Sequence, residues 1–294
     1  MTLRTFVDTF GRAVQIPHAP QRLVSLVPSI TEVLFSFGRG QQVVGITDYC
    51  TEPAAVATKT KIGGTKNPDI ATILALRPQL VFAVAEENRR QDVEQLAAAG
   101  VSVYVFAPRT VRDGIDLLWR VADLVDCRSE VTGQMQAIEQ DYAETVALVA
   151  RHQRVRVFCP IWKDPYMTIN EDTYVHDVLQ VCGGDNIFAH RQRRFPLAAD
   201  LGQQPEATGE RSTERDRRYP RVTLEEMATL RPEVIFLPDE PYVFSQADTA
   251  DFMPFPEVPA VHDGRIFLID GKMVSWYGPR IGHSLRTFRA LLLR

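Results

Sequence analysis

The segment DIATILALRPQLVFA (69–83) recurs in looser form as TLEEMATLRPEVIFL (223–237), and four of the 15 aligned positions are identical. In each copy a short helix is expected to end at Leu-Arg-Pro, because the residue before proline is sterically disfavoured in the helical region. An apolar run follows, as expected for a buried strand. The copies lie about half of the 294-residue chain apart, so the repeat favours two similar halves.

Strands and helices alternate on both sides of the repeat. In the first half we predict strands at 22–27, 42–47, 79–85 and 101–106, and helices at 30–37 and 89–99. In the second half we predict strands at 155–160, 234–237 and 265–269, and helices at 172–182 and from about 280 to the C-terminus. This alternation predicts βαβ crossovers and mostly parallel sheets. Before it, residues 4–16 predict a small hairpin around Phe10-Gly11.

A long helix over 129–152 separates the two halves. One apolar stripe at helical spacing runs along it: Val131, Met135, Ile138, Tyr142, Val146 and Val149. At roughly 36 Å it is too long for a simple crossover. The sequence therefore predicts an α/β fold with two similar lobes of mostly parallel sheet, bridged by one long α-helix. The expected divisions are an N-terminal lobe over 1–125, the helix within 126–153 and a C-terminal lobe over 154–294.

Residues 190–221 interrupt the second half. This segment contains eight arginines and five acidic residues but few apolar ones. Such a composition is typical of a mobile surface insertion. A functional lid is the alternative interpretation.

Composition and charge exclude several classes of function. The chain has 33 Lys and Arg against 37 Asp and Glu, so its net charge of -4 does not favour nucleic acid or an anionic membrane surface. The longest apolar run is about six residues, far below the ~18 that a membrane helix needs. Residues 1–17 have no charged start followed by an apolar stretch, so no secretory signal is visible.

Catalytic and metal-binding motifs are also missing. The sequence has no Gly-x-Ser-x-Gly, no phosphate loop and no His-Glu-x-x-His. Its four cysteines form no Cys-x-x-Cys pair, so we expect idle thiols rather than a metal site. We therefore do not expect an enzyme.

Four segments carry a family resemblance: RLVSLVPSITEVLFSFG (22–38), VVGITDYC (43–50), KIGGTKNPDIATILALRPQLVFA (61–83) and VLQVCGGDNIF (178–188). They resemble the solute-binding proteins of ABC importers for vitamin B12 and iron chelates, the class III or helical-backbone superfamily. The resemblance runs from about residue 4 to 294, interrupted by the insertion, and is closest to the vitamin B12-binding branch.

The resemblance implies two α/β lobes on one long helix, with a cobalamin-like or ferric-chelate ligand held between them. It implies a monomer without an intrinsic cofactor that delivers this ligand to the permease subunits of an importer. It also implies an extracytoplasmic location, although a cytoplasmic one stays open because no signal is visible. Two other functions remain open: a cytosolic carrier or sensor without a permease, and a metallocluster enzyme on a nitrogenase-like two-lobed fold.

Ligands of open α/β lobes bind beyond the carboxyl ends of the strands, so the residues at those ends are the candidate ligand site. These residues are Ser29, Tyr49, Gly64, Thr65, Trp162, Tyr166, Tyr219, Tyr242, Trp276, Tyr277 and Arg280. Aromatic rings suit a large flat ligand such as a corrin or porphyrin, although ordinary packing explains any single ring equally well. Arg280 is expected either to bind a carboxylate or phosphate of the ligand or to be a surface charge.

Two of these residues have a second interpretation. Ser29 opens a helix whose amides suit an anionic or carbonyl group. Its spacing to Glu32 is that of a capping box, and helix capping is the favoured role of its hydroxyl. Gly64 would let the backbone approach a ligand closely, or it simply forms a turn.

The resemblance implies further roles, and the sequence departs from some of them. Aromatic residues that face the ligand in the first lobe of the vitamin B12 branch are replaced by Thr65 and Val84. The ligand is then smaller than cobalamin, or is held mainly by the second lobe. An acidic residue in each lobe docks on permease arginines; Glu225 matches in the second lobe. In the first, Ala71 stands at that position, and Asp69 or the neighbouring Glu86-Glu87 would substitute.

The resemblance and the sequence also make predictions about one cysteine and two histidines. The disulfide partner of Cys182 in the branch is replaced by Arg289, so we expect a free thiol. His283 would be either an axial ligand of a chelated metal or a helix-surface residue, and the latter is favoured. For His176, beside Asp177, we expect a surface or capping role.

Overall fold

The computed structural model describes residues 2–206 and 216–293, and the chain forms two compact units. The first unit comprises Met1–Pro108, Arg112–Glu139 and Tyr277–Ile281. The second comprises Arg109–Val111, Gln140–Trp276 and Gly282–Arg294. One boundary between the units, at residues 139 and 140, therefore falls inside a helix.

A parallel sheet forms the centre of the first unit. Its strands and helices are β1 (Leu3–Val7), β2 (Ala13–Pro17), β3 (Leu23–Ser25), α1 (Pro28–Ser36), β4 (Val43–Ile46), β5 (Thr60–Lys61), β6 (Gly63–Gly64), β7 (Asn67–Pro68), α2 (Ile70–Ala75), β8 (Leu80–Val84), α3 (Arg90–Ala98), β9 (Val103–Phe106), α4 (Val111–Leu124) and the beginning of α5 (Arg128–Val149). Five strands pair in the order β5-β4-β3-β8-β9, and each neighbouring pair is parallel. Every residue of β8 is buried, as expected for a central strand covered on both faces.

The second unit also contains a parallel sheet. Its elements after α5 are β10 (Val155–Phe158), β11 (Pro160–Trp162), β12 (Met167–Thr168), α6 (Tyr174–Val181), β13 (Gly184–Asn186), α7 (Leu197–Asp200), α8 (Leu224–Leu230), β14 (Val234–Pro238), α9 (Pro259–His262), β15 (Ile266–Ile269), α10 (Lys272–Ser275) and α11 (Ile281–Leu292). Four strands pair in the order β13-β10-β14-β15, all parallel. The predicted α/β class with mostly parallel sheets is confirmed, and so is the hairpin, formed by β1 and β2.

The sequence repeat forms the same local structure in both units. Asp69 caps α2 by accepting a hydrogen bond from the Thr72 amide, and Thr223 caps α8 by accepting one from the Glu226 amide. Each helix is followed by an arginine in the left-handed region, at φ 47° and φ 50°, directly before the proline. Proline disfavours the right-handed helical conformation there, so both helices stop at equivalent points. The strands β8 and β14 then begin.

The long helix is α5, which has 22 residues, and its buried face departs from the predicted stripe. Val131, Met135 and Ile138 are buried as expected, but Val146 is 44% exposed. Thr145 is buried instead, because its hydroxyl donates to the Asp141 carbonyl at 2.7 Å and accepts from Arg289 at 3.0 Å. A polar side chain with both partners present tolerates burial, and apolar spacing alone cannot reveal those partners.

The Arg-rich insertion is more ordered at its edges than its composition predicts; residues 207–215 lie outside the described part of the chain. Asp200, only 1% exposed, accepts from Arg191 at 3.2 Å and from the amides of Arg194 at 2.9 Å and Arg221 at 2.8 Å. The expectation of a mobile loop is therefore wrong for these edges. A carboxylate with so many donors withstands burial and fixes both ends of the insertion.

His176 is buried, not at the surface as predicted. Asn186 donates to the Ile169 carbonyl at 2.9 Å and accepts from the Phe188 amide at 3.0 Å, which fixes its amide orientation. Its nitrogen, 3.3 Å from His176 Nδ1, must then donate, so Nδ1 is unprotonated. Burial lowers the pKa of His176 below 6.5, while the carboxylates of Asp177, Glu171 and Asp185 oppose this shift.

We predict that Asp200→Ala lowers the free energy of unfolding by about 3–5 kcal/mol, because it leaves the amides of Arg194 and Arg221 without their acceptor and removes one of the two carboxylates that bind the buried Arg191 guanidinium, the other being Glu226. Asp216→Ala removes a more exposed partner of Arg218 in the same insertion and should cost under about 1 kcal/mol. Urea denaturation of both variants measures the difference. Equal effects of the two substitutions would contradict the structural role of Asp200.

We also predict that stability falls as the pH drops below about 6.5, the unfolded pKa of histidine. The folded state disfavours protonated His176, so the unfolded state binds more protons in this range and gains stability relative to the folded one. Urea titrations at pH 7.5, 6.5 and 5.5 measure the slope. His176→Gln should flatten it relative to the matched variant of the exposed His152; an identical slope in both variants would refute the assignment.

Candidate functional site

Ser29 is not the helix cap that the sequence predicts. The helix α1 begins one residue earlier, at Pro28, and its N-cap is Val27, without a side-chain capping bond. Proline suits the first helical position, since its fixed φ is helical and that position needs no amide hydrogen bond. Ser29 consequently lies inside the first turn. Its hydroxyl is buried and has no hydrogen-bond partner among residues 2–206 and 216–293.

A tight hairpin at the carboxyl end of β4 and β5 contains Gly64 and Thr65. Gly63 has φ 81°, and a Cβ at Gly64 would lie about 3.3 Å from the Tyr49 ring and closer still to the Asn67 side chain. Both glycines are therefore explained by the turn and its packing. Tyr49 itself is 63% exposed, which leaves its ring open to a ligand.

Asn88, which sequence reasoning did not single out for a structural role, holds three loops of the first unit together. It is 6% exposed. Its amide nitrogen donates to the carbonyls of Leu26 at 3.1 Å and Thr65 at 3.0 Å, and its oxygen accepts from the Val84 amide at 2.9 Å. These bonds join the segments after β3 and β8 to the β6–β7 hairpin. No local sequence pattern signals such a role, because its partners are distant in sequence.

Arg280 is already bound to carboxylates within the first unit. Its Nε and Nη2 lie 3.0 Å and 2.6 Å from the two oxygens of Glu32, and Nη2 is 3.2 Å from Glu52. The Arg280 side chain is only 15% exposed. This bidentate geometry is the strong form of an arginine–carboxylate pair, and it leaves little capacity for a ligand anion. The neighbouring Tyr277 is 3% exposed, and its hydroxyl lies 3.5 Å from Glu87.

Trp162 and Tyr242 form an open aromatic pair in the second unit. Their rings meet edge to face with centroids 5.8 Å apart. Trp162 is 42% exposed, and Tyr242 is half-buried against Phe244 at 4.7 Å. The two residues follow β10 and β14, which are neighbours in the parallel sheet, so both lie beyond the carboxyl ends of the strands. That edge is the usual position of a ligand in α/β folds.

Tyr166, by contrast, belongs to the hydrophobic core. It is 9% exposed and stacks on Phe244 with an interplanar angle of 14°. Its hydroxyl donates to Asp251 at 2.7 Å. Packing and one hydrogen bond therefore account for this side chain.

Lys163 fixes the hairpin that carries Trp162. Its Nζ lies 2.7 Å from both Asp248 Oδ1 and Asp251 Oδ2, in the 3-10 segment Gln246–Phe252. The hydrogen bond to Asp248 and then that to Asp251 raise the pKa of Lys163, so its ammonium group remains charged. The three charges tie β11 and β12 to the segment that follows β14.

The remaining aromatic candidates, Trp276 and Tyr219, are both half-buried. The Trp276 ring lies 5.8 Å from the Lys272 ammonium, and its side chain hydrogen-bonds to Glu240. Burial raises the pKa of Glu240 above its usual value. Tyr219 has the Arg218 guanidinium 5.3 Å over its ring.

Both residues predicted to dock on a permease are exposed at the beginning of equivalent helices. Asp69 accepts from the Thr72 hydroxyl at 2.6 Å, and hydrogen bonds from Thr72 lower the pKa of this carboxyl. Glu225 lies in the first turn of α8. A carboxylate at either position also stabilises the helix end, so a structural and a docking role are compatible.

Other features of the described residues do not add a metal site or a membrane segment. No group of three or more His, Cys, Asp or Glu that could hold a metal ion occurs in the described ranges. Cys182 is a buried free thiol, and burial raises its pKa to about 12. His283 is exposed on α11. Within the same ranges, no helix combines the length and the apolarity needed to cross a bilayer.

Two surface pockets lie apart from the predicted ligand residues. One, of about 330 Å³, is lined in the first unit by residues including Asp8, Tyr104 and Arg120. The other, of about 370 Å³, is lined in the second unit by residues including Arg156 and Arg191. Neither is lined by a residue that the sequence assigned to the ligand.

The chain is similar to known binding proteins in sequence. Residues 23–273 match the pattern of a family described as periplasmic binding protein. The vitamin B12-binding protein of Vibrio parahaemolyticus is 24% identical over 281 residues, which cover 94% of this chain and 90% of that protein.

Two solved structures have similar folds. The periplasmic vitamin B12 binding protein BtuF of Vibrio cholerae aligns with a TM-score of 0.71 and 20% identity, covering 94% of this chain and 97% of that one. The periplasmic haem-binding protein RhuT of Roseiflexus in its apo form aligns with a TM-score of 0.69 and 20% identity, covering 92% and 97%.

Proposed function

The chain belongs to the periplasmic binding protein family, and from this membership we propose that it captures a cobalamin-like or metal-chelate ligand of the siderophore or haem type and delivers it to an ABC importer. The named relatives that bind vitamin B12 and haem support this ligand class. They are binding proteins, and the proposed function involves no chemical change of the ligand.

The open pair of Trp162 and Tyr242 is the observation that carries the proposal. Rings at this edge provide a large contact area for a flat macrocycle with little loss of side-chain entropy. Lys163 and its two aspartates hold the hairpin in place, so the surface is organised before the ligand arrives.

Four further candidates complete the proposed ligand site, two in each unit. In the first unit, Tyr49 offers an exposed ring, and Ser29 has a buried hydroxyl without a hydrogen-bond partner in the described part of the chain. In the second, Trp276 and Tyr219 offer partly exposed rings. Tyr166, Tyr277 and Arg280 are left out, because other residues of the protein already occupy their polar groups.

We propose an extracytoplasmic location and the permease subunits of the importer as partners, in keeping with the family. Asp69 and Glu225 are the proposed docking residues, one in each unit. Both carboxylates are exposed near the beginning of equivalent helices, Asp69 as the N-cap of α2 and Glu225 two residues after the N-cap of α8.

Calorimetry with cyanocobalamin, dicyanocobinamide, haemin and a ferric hydroxamate siderophore tests the ligand class. We expect at least one of these probes to bind with 1:1 stoichiometry. Trp162→Ala should make the binding free energy of that probe less favourable by about 1–3 kcal/mol, the range for losing an aromatic anchor. Phe10→Ala, which removes an exposed ring from the β1–β2 turn, is the matched control and should have no effect. If none of the probes gives heat, the proposed function is wrong.

The docking residues are tested by the double variant Asp69→Asn and Glu225→Gln. Affinity for the bound probe should stay within about two-fold, while ATP hydrolysis by the cognate importer in proteoliposomes should lose most of its stimulation, because exposed charge pairs guide protein association. Glu94→Gln, an exposed carboxylate elsewhere, is the control. Full stimulation by the double variant would exclude this docking mode.

A further inference from the structure

The end of the insertion and the residue after it add a third strand to the hairpin that carries Trp162. Arg221 pairs with Met167 in an antiparallel bridge. On either side, the Thr168 amide donates to the Pro220 carbonyl and the Val222 amide donates to the Tyr166 carbonyl, both at 3.0 Å. Residues 220–222 are therefore held in register with β12, which itself pairs with β11.

The segments β11, β12 and 220–222 form a three-stranded ribbon. Its register places Trp162, Met167 and Arg221 on one face. Directly opposite residues of antiparallel strands share a face, and Met167 lies opposite both Trp162 and Arg221. All three side chains are at least partly exposed, whereas the flanking residues Tyr166 and Val222 are buried. The open face thus runs from an indole through a thioether to a guanidinium. Two strand spacings, roughly 10 Å, separate the two ends.

Arg221 differs from three other arginines of the insertion. Arg191, Arg217 and Arg218 each bind a carboxylate, at 3.2, 2.7 and 2.7 Å. Among the residues that the structure describes, the Arg221 guanidinium makes a single hydrogen bond, to the Tyr219 carbonyl at 3.1 Å. Asp200 binds the Arg221 backbone amide, not its side chain.

The charge of Arg221 is also poorly compensated. Burial lowers its pKa most, the positive charge of Arg193 lowers it further, and Asp200 opposes both. The Arg193 guanidinium is stacked 4.8 Å over the uncharged Phe195 ring, and its charge also interacts with the Asp216 carboxylate. An anion placed here would relieve the repulsion between the two guanidinium groups.

We propose that Arg221, with Arg193 beside it, binds an acidic substituent, a carboxylate or a phosphate, of the same ligand whose flat body stacks on Trp162. The substrate class is then a flat, largely apolar molecule with an anionic group at its rim. This inference rests on the proposed function. It assigns to Arg221 the role that the sequence suggested for Arg280, whose guanidinium is bound by Glu32 and Glu52.

Two pairs of related ligands test whether the bound anionic group is a carboxylate or a phosphate. Haemin and haemin dimethyl ester differ only in free carboxylates, and cyanocobalamin carries a phosphodiester that dicyanocobinamide lacks. The acidic member of at least one pair should bind the protein about 10- to 100-fold more tightly than its partner, the range for hydrogen bonds to a charged group. Since dicyanocobinamide also lacks the ribose and the dimethylbenzimidazole base, the pair whose difference disappears in Arg221→Met identifies carboxylate or phosphate.

Three variants test the residue. Arg221→Met should remove the preference for the acidic ligand and leave the affinity for its uncharged partner unchanged, so the partner also reports correct folding. Arg221→Lys should restore part of the preference, since an ammonium keeps the charge but not the planar fork. Arg194→Met, which removes an exposed arginine of the same insertion, is the control and should change neither affinity.

The outcomes distinguish this inference from the function on which it rests. If both members of each pair bind wild-type protein equally, or if Arg221→Met weakens both members alike, Arg221 does not recognise an anion. In that case Trp162→Ala would still weaken binding, and the proposed function would stand. If no probe binds at all, both the proposed function and this inference are wrong.

Discussion

The parallel pairing of β10 with β14 is the constraint on which the candidate site depends. Phe158 lies opposite Ile235, so both strands end at the same edge of the sheet. The segments that follow them carry Trp162 and Tyr242, and this brings two rings that are distant in sequence into contact. A slip in this register would separate the rings and abolish the aromatic surface that they form.

Charged groups fix the irregular segments around this edge. Lys163 joins the hairpin to the 3-10 segment through two carboxylates, and Asp200 joins both ends of the Arg-rich insertion. Buried or half-buried charges of this kind are stable only when their partners are in place, so they specify one arrangement of each loop. The aromatic surface and Arg221 are both attached to segments held in this way.

Local patterns allowed much of the fold to be predicted. The repeat at 69–83 and 223–237 carries its own caps, its own Arg-Pro stop and its own apolar strand, and each of these acts over a few residues. Trp162 was also named as a ligand candidate from its place after a strand, and its side chain is 42% exposed. Such features depend on residues that are close in sequence, so they can be predicted from the order of the amino acids alone.

The errors in prediction involve partners that are distant in sequence. Arg280 and Glu32 are 248 residues apart, and no spacing rule connects them. His176 appeared polar and exposed until Asn186 provided a buried partner, and the edges of the insertion appeared mobile because Asp200 binds groups on both of its sides. Arg221 was overlooked because its significance depends on a strand register that the sequence does not reveal.

Anomalous diffraction from co-crystals with cyanocobalamin or haemin, collected at the cobalt or iron edge, tests the central claim most directly. The account predicts a single strong metal peak beside the rings of Trp162 and Tyr242, with the macrocycle extending along the ribbon toward Arg221. A metal peak located elsewhere, with these rings still open to solvent, would contradict it.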